Sequence, residues 1–156
     1  MQNNEELIEV LNDLIRINND RIEGYEKAIE ETKDIDVDLK TAFRRMADQS
    51  RQNKAELVQE VGKRGGGADI NSTTNSGKIY RAWMGVKATF TGKDRKSVLS
   101  ACEYGEDSAQ KAYQEALESD ATMDVEVRQL VVKQKTSLKE SHDLIKRYRD
   151  MQAALK

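Results

Sequence analysis

Four stretches of this chain place apolar side chains three and four residues apart, and no proline interrupts any of them. That period belongs to helices buried along one face. A proline inside a helix costs about 3 kcal/mol, so a 156-residue chain without one is suited to long helices. The first stretch runs from about Asn4 to Lys33. Leu7, Leu11, Leu14, Ile22, Tyr25 and Ile29 form its stripe, widened by Ile8 and Ile15. The second runs from Asp36, expected as an N-cap, to Val61, with Leu39, Phe43, Met46, Leu57 and Val61 inward. Gly62 and then Gly65-Gly66-Gly67 are expected to end it. The third runs from a cap at Asp94 to about Ser119 and carries Leu99, Cys102, Ala109, Tyr113 and Leu117. The fourth starts near Asp124 and carries Val127, Val131, Leu138, Ile145, Tyr148 and Leu155.

The two halves repeat. Adding 88 to a residue number maps Tyr25 onto Tyr113, Ala28 onto Ala116 and Glu30 onto Glu118. The turn Ile35-Asp36-Val37-Asp38-Leu39-Lys40 answers Met123-Asp124-Val125-Glu126-Val127-Arg128 in the same register. An amphipathic hairpin cannot bury its stripe alone, and pairing two of them makes a four-helix core. Each hairpin turn is short, so its two helices are antiparallel neighbours. Between the hairpins lies a Gly/Ser/Thr/Asn-rich loop followed by a short amphipathic segment with Ile79, Trp83, Val86 and Phe90. A helix of about thirty residues is ~45 Å long, and this connection can cross that length. The expected fold is therefore all-α. It is a ferritin-like antiparallel four-helix bundle from a duplicated helical hairpin, with one long crossover containing a short helix. It forms one domain over 1–156, with hairpins at 4–62 and 94–155 and the crossover at 63–93.

Composition narrows the function classes. The 26 basic and 28 acidic residues nearly balance, which gives no electrostatic reason to bind nucleic acid or anionic lipid. No apolar run approaches the ~20 residues of a membrane span. The polar start Met1-Gln2-Asn3-Asn4-Glu5-Glu6 does not read as a secretory signal. Cys102 is the only cysteine, so no internal disulfide can form, which suits a reducing, cytoplasmic compartment.

Polar residues interrupt the stripes near mid-helix. They are Asn18 in the first helix, Ser50 and Asn53 in the second, Glu106 in the third, and Gln134 and Ser141 in the fourth, with His142 beside Ser141. The 88-residue shift maps Asn18 onto Glu106 and Asn53 onto Ser141, so these residues should share one layer. Ferritin-like di-metal proteins place their ligands in such a layer: a Glu from each of two helices and a Glu-x-x-His from each of the others. Here the Glu positions hold Asn18 and Glu106, and the paired positions hold Ser50-x-x-Asn53 and Leu138-x-x-Ser141. Only Glu106 has the chemistry of a ligand. No metal and no cofactor is expected; an off-register site would have to use Glu103, Glu106 and His142 with Gln49. The layer reads instead as a polar core that sets helix register. No opposite charge stands at the matched seam positions, so Glu106→Gln is expected to be neutral or stabilising.

Other features have plain readings. Cys102 packs as a small hydrophobe, and His142 flanks the seam. Gly65-Gly66-Gly67 and Ser76-Gly77-Lys78 do not match the spacing of a phosphate loop. Trp83 and Phe90 are expected to anchor the crossover to the bundle.

Leu11-Asn12-Asp13-Leu14-Ile15, Arg81-Ala82-Trp83-Met84, Cys102-Glu103-Tyr104-Gly105-Glu106-Asp107 and Ala112-Tyr113 form a distinctive set. With them the chain resembles, over nearly its whole length, an uncharacterised bacterial ferritin-like four-helix-bundle family, a domain of unknown function. That family is distantly similar to stress-induced ferritin-like proteins. The resemblance implies a ferritin-like bundle and a bacterial cytoplasmic protein, and it supplies no catalytic residues. The expected function is non-enzymatic and stress-related. The alternative is a metal-binding protein, for iron handling or di-metal oxidation, with an atypical site. A homo-oligomer and a protein partner both stay open.

Overall fold

The structure, a computed structural model, describes residues 2–32, 36–66, 95–119 and 121–154. They form an all-α four-helix bundle: α1 (Gln2–Glu31), α2 (Val37–Lys63), α3 (Arg95–Glu118) and α4 (Val125–Ala154). The crossover residues Ile79, Trp83, Val86 and Phe90 lie outside the described residues.

The helix ends follow local chemistry. Asp124 caps α4: its carboxylate accepts the Val127 amide at 2.9 Å. Asp36 holds the matching place before α2 but makes no side-chain cap bond. Its carboxylate turns instead to Arg95 at 3.2 Å. Helix α2 passes through Gly62 and stops at Lys63. Gly66 then donates to the Val61 carbonyl and Gly65 to the Gly62 carbonyl, both at 3.1 Å. Gly65 adopts a φ of 75°, the left-handed conformation that this closure requires.

The helices pack in a fixed order. α1 lies along α2, α3 along α4, and α1 also against α3, while α2 and α4 are the least closely packed of the neighbouring pairs. Neither α1 with α4 nor α2 with α3 forms a helix-to-helix interface, so each of these pairs is diagonal. Residue pairs across the bundle give the directions. Asn18 meets Tyr113 and Tyr25 meets Glu106, so α3 runs antiparallel to α1. Helices α2 and α3 therefore run the same way. Their starts are tied at one end by Arg95, which reaches Asp36 and Asp38. At the other end Arg64, just past α2, pairs with Asp124 at 3.2 Å. The start of α3 therefore lies at the opposite end of the bundle from the end of α2.

The apolar core forms two clusters. One gathers Leu7 to Ile17 of α1 with Leu57 and Val61, Ala109 to Ala116, and Val127 to Leu138. The other gathers Tyr25 and Ala28 with Leu39 to Ala47, Val98 to Cys102, and Ile145. Burial of these side chains is the main favourable term in the fold, at about 1.5–3 kcal/mol for each large one. α1 is the most enclosed helix: Leu11 to Ile15 and Ile17 to Arg21 are all buried.

Candidate functional site

Asn18, Arg21 and Tyr25 follow one another at steps of three and four on α1, so they share the face that looks into the bundle. Asn18, Arg21, Ser50 and Glu106 have no solvent exposure at all. Arg21 lies bidentate on Glu106. Its Nε donates to Oε1 at 3.1 Å and its Nη2 to Oε2 at 2.7 Å. Nη1 donates to the Ser50 hydroxyl at 2.6 Å, and both terminal nitrogens lie 3.4 Å from Gln49 Oε1. The Tyr25 hydroxyl donates a short hydrogen bond to Glu106 Oε2, and the Arg21 guanidinium also stands 5.3 Å from the Tyr25 ring centre. Burial opposes the Arg21 charge, but Glu106 and Tyr25 outweigh it and hold the guanidinium above its ordinary pKa. Burial raises the Tyr25 phenol, and Glu106 raises it further. Burial and then Glu106 push the Cys102 thiol up as well, so it stays neutral and unreactive.

A second group of buried polar side chains adjoins the first. Asn18 donates to the Tyr113 hydroxyl at 2.9 Å, and Tyr113 donates to Gln134 Oε1 at 2.7 Å. Gln134 in turn donates to the Asn53 carbonyl at 3.2 Å and to Glu56 at 3.0 Å. Asn53 closes the ring with a long bond to Asn18 Oδ1, 3.4 Å. The two groups are related by the internal repeat. Tyr25 reaches the residue at position 106 in the other hairpin, and Tyr113 reaches the residue at position 18. The tyrosines correspond under the 88-residue shift, and so do Asn18 and Glu106.

Arg21 corrects the sequence reading, which found no opposite charge for Glu106. The signal was the spacing 18, 21, 25, which puts Arg21 on the seam itself. The tyrosines were read as apolar stripe residues, and their hydroxyls were missed. Asn18, Ser50, Asn53, Glu106, Gln134 and Ser141 are all buried. Of the off-register metal candidates, Glu103 pairs with Arg149 at 2.7 Å and Glu106 with Arg21. His142 faces Asp107 across a short contact and Asp143 at 3.2 Å. Among the described residues no three His, Cys, Asp or Glu side chains form a group able to hold a metal ion. No described helix is long and apolar enough to cross a membrane.

A family model described as a domain of unknown function, DUF2383, matches residues 6–119. The chain belongs to this family. A comparison with curated proteins gave no match. The DUF2383 match takes in α1 from Glu6, α2, the crossover and α3. It therefore contains the α1–α3 contacts of Arg21 and Tyr25 with Glu106 and of Asn18 with Tyr113. Helix α4 lies beyond the DUF2383 match, and with it Gln134, Ser137, Ser141 and His142.

Proposed function

We propose that this DUF2383 protein is a ferritin-like bundle in which an internal ion pair stands where di-metal relatives hold their ions. In this reading it is not an enzyme, and it acts through its surface or its assembly. The arrangement of the helices supports the ferritin-like assignment: two antiparallel hairpins, with α2 and α3 parallel and diagonal. The observation that carries the functional reading is the bidentate Arg21–Glu106 pair, buried at mid-bundle. Both oxygens of the Glu106 carboxylate are taken by a guanidinium and a phenol. The other seam donors, Asn18, Ser50 and Asn53, are neutral and cannot offset two divalent ions in a core that excludes water. The residues present do not fit a di-metal centre.

A bacterial, cytoplasmic setting and a part in stress tolerance belong to the same proposal. They rest on the family resemblance and on a single buried, neutral cysteine. The near balance of acidic and basic residues supports a partner other than nucleic acid. Titration with Fe(II) under oxygen tests the proposal. The expected result is iron oxidation at the rate of buffer alone. Rapid oxidation that disappears in Glu106→Ala would replace this reading with an iron-handling one.

A further inference from the structure

The weakest seam of the bundle holds a groove. α2 and α4 are the least closely packed of the neighbouring helices, and between them lies a cavity of about 310 Å³. Ala42, Arg45, Met46 and Gln49 line it from α2, and Ser137, Glu140, Ser141 and Leu144 from α4. Each set recurs at steps of three and four, so each helix turns one face to the groove. The volume is at the lower limit of small-molecule sites, which pair apolar walls with a few placed polar groups.

The polar groups at the floor are held from behind. Gln49 Oε1 accepts from the Ser141 hydroxyl at 2.9 Å and faces the Arg21 guanidinium. Gln49 Nε2 donates to the Ser137 oxygen through a short contact. These bonds fix the protons. Ser137, acting as acceptor, has its own hydrogen left to donate. Ser141, acting as donor, keeps lone pairs to accept. At the mouth stand one cation and one anion, Arg45 and Glu140, both exposed and neither ion-paired among the described residues. Met46, Ala42 and Leu144 supply apolar wall.

We propose that this groove binds a small zwitterion with an uncharged, apolar side chain, that is, a free α-amino acid of the methionine or leucine type. Arg45 and the Ser137 hydrogen receive the carboxylate. Glu140 and the Ser141 lone pairs receive the ammonium. The side chain lies on Met46 and Leu144. The site is independent of the mid-bundle ion pair's role: it would stand if iron chemistry were found, and the ion pair would stand without it.

Nuclear magnetic resonance titration of the labelled full chain tests this, with L-methionine as the probe. The expected result is saturable shifts at the Gln49 side-chain amide and the Leu144 methyls. Arg45→Gln and Glu140→Gln should each weaken binding about tenfold or more, the value of one charged hydrogen bond. Both residues are exposed, so both variants should fold, which a melting curve checks. A second measurement on the unaltered chain uses L-methionine methyl ester, which lacks the carboxylate, and N-acetyl-L-methionine, which lacks the ammonium; both should bind far more weakly. Absence of saturable shifts, shifts unchanged in both variants, or equal binding of either derivative would overturn the proposal. Acetate reproducing the same shifts at the same affinity would also overturn it, in favour of a plain anion site.

Discussion

Arg21 of α1 and Glu106 of α3 meet as a bidentate ion pair with no exposure on either side chain. The pair joins the two hairpins, and Tyr25, Ser50 and Gln49 hold it from three further directions. Such a pair adds little over a well-packed apolar core, because desolvation of two charges offsets their attraction. Removing one partner is different, since it leaves the other charge buried without compensation.

That asymmetry reverses the expectation for Glu106→Gln. The substitution should destabilise the protein by about 3–5 kcal/mol, as should Arg21→Met. The double variant Arg21→Met/Glu106→Gln should be more stable than the sum of the two losses implies, with a coupling of about 1–3 kcal/mol. Urea denaturation of the four proteins gives the coupling directly. Additive losses would mean that the two side chains do not meet.

The two tyrosines should respond unequally. Tyr25→Phe removes a hydrogen bond to an ionised carboxylate, at a cost of about 1.5–3 kcal/mol. Tyr113→Phe removes a link between two neutral amides, and its cost should be nearer ~1 kcal/mol. Thermal melts of both variants would rank them, and a larger loss from Tyr113→Phe would contradict the assignment of charge to the Tyr25 side.

His142 gives the fold a pH-dependent clasp between α3 and α4. Burial lowers its pKa, but Asp143 and Asp107 outweigh burial and raise it above the ordinary value. A raised folded-state pKa means that the protonated form is favoured by folding. The stability it contributes is complete below the unfolded value of about 6.5 and is lost as pH rises through the folded pKa. The effect should be small, because Asp107 is largely exposed to solvent. Following the imidazole ring protons through a pH series should give a midpoint above that of an unstructured histidine. In Asp107→Asn the midpoint should fall, and a midpoint unmoved by that change would remove Asp107 as the cause.

Gly65 should resist substitution. Its φ of 75° places any Cβ in a conformation that costs an L-residue about 1–2 kcal/mol. Gly65→Ala should therefore lower stability by that amount, while Gly62→Ala should be neutral or stabilising. Gly62 sits inside α2, and a Cβ there would meet nothing within 4 Å. Chemical denaturation of the two variants separates the cases.

The apolar stripes made the four helices legible, because burial of one face imposes a period that no loop shares. The polar interruptions at Asn18, Ser50, Asn53 and Glu106 were legible for the same reason: each breaks the stripe without breaking the helix. Arg21 was not legible, because a long charged side chain can leave a seam position for solvent, and only the packed partner shows that it does not. Gln49 was legible only as an off-register ligand, not as a hydrogen-bonding hub. It sits one step off the stripe, yet its amide reaches Arg21, Ser137 and Ser141 at once. Asp36 looked like the cap that its repeat partner Asp124 is, but Arg95 draws its carboxylate away, and no pattern within α2 signals that competition.

The central claim is that a guanidinium, and not a pair of metal ions, neutralises Glu106 at mid-bundle. Elemental analysis of the protein, purified aerobically without chelator, tests it most directly. The account predicts no stoichiometric iron, manganese or zinc; two metal ions per chain, lost on Glu106→Ala, would contradict it.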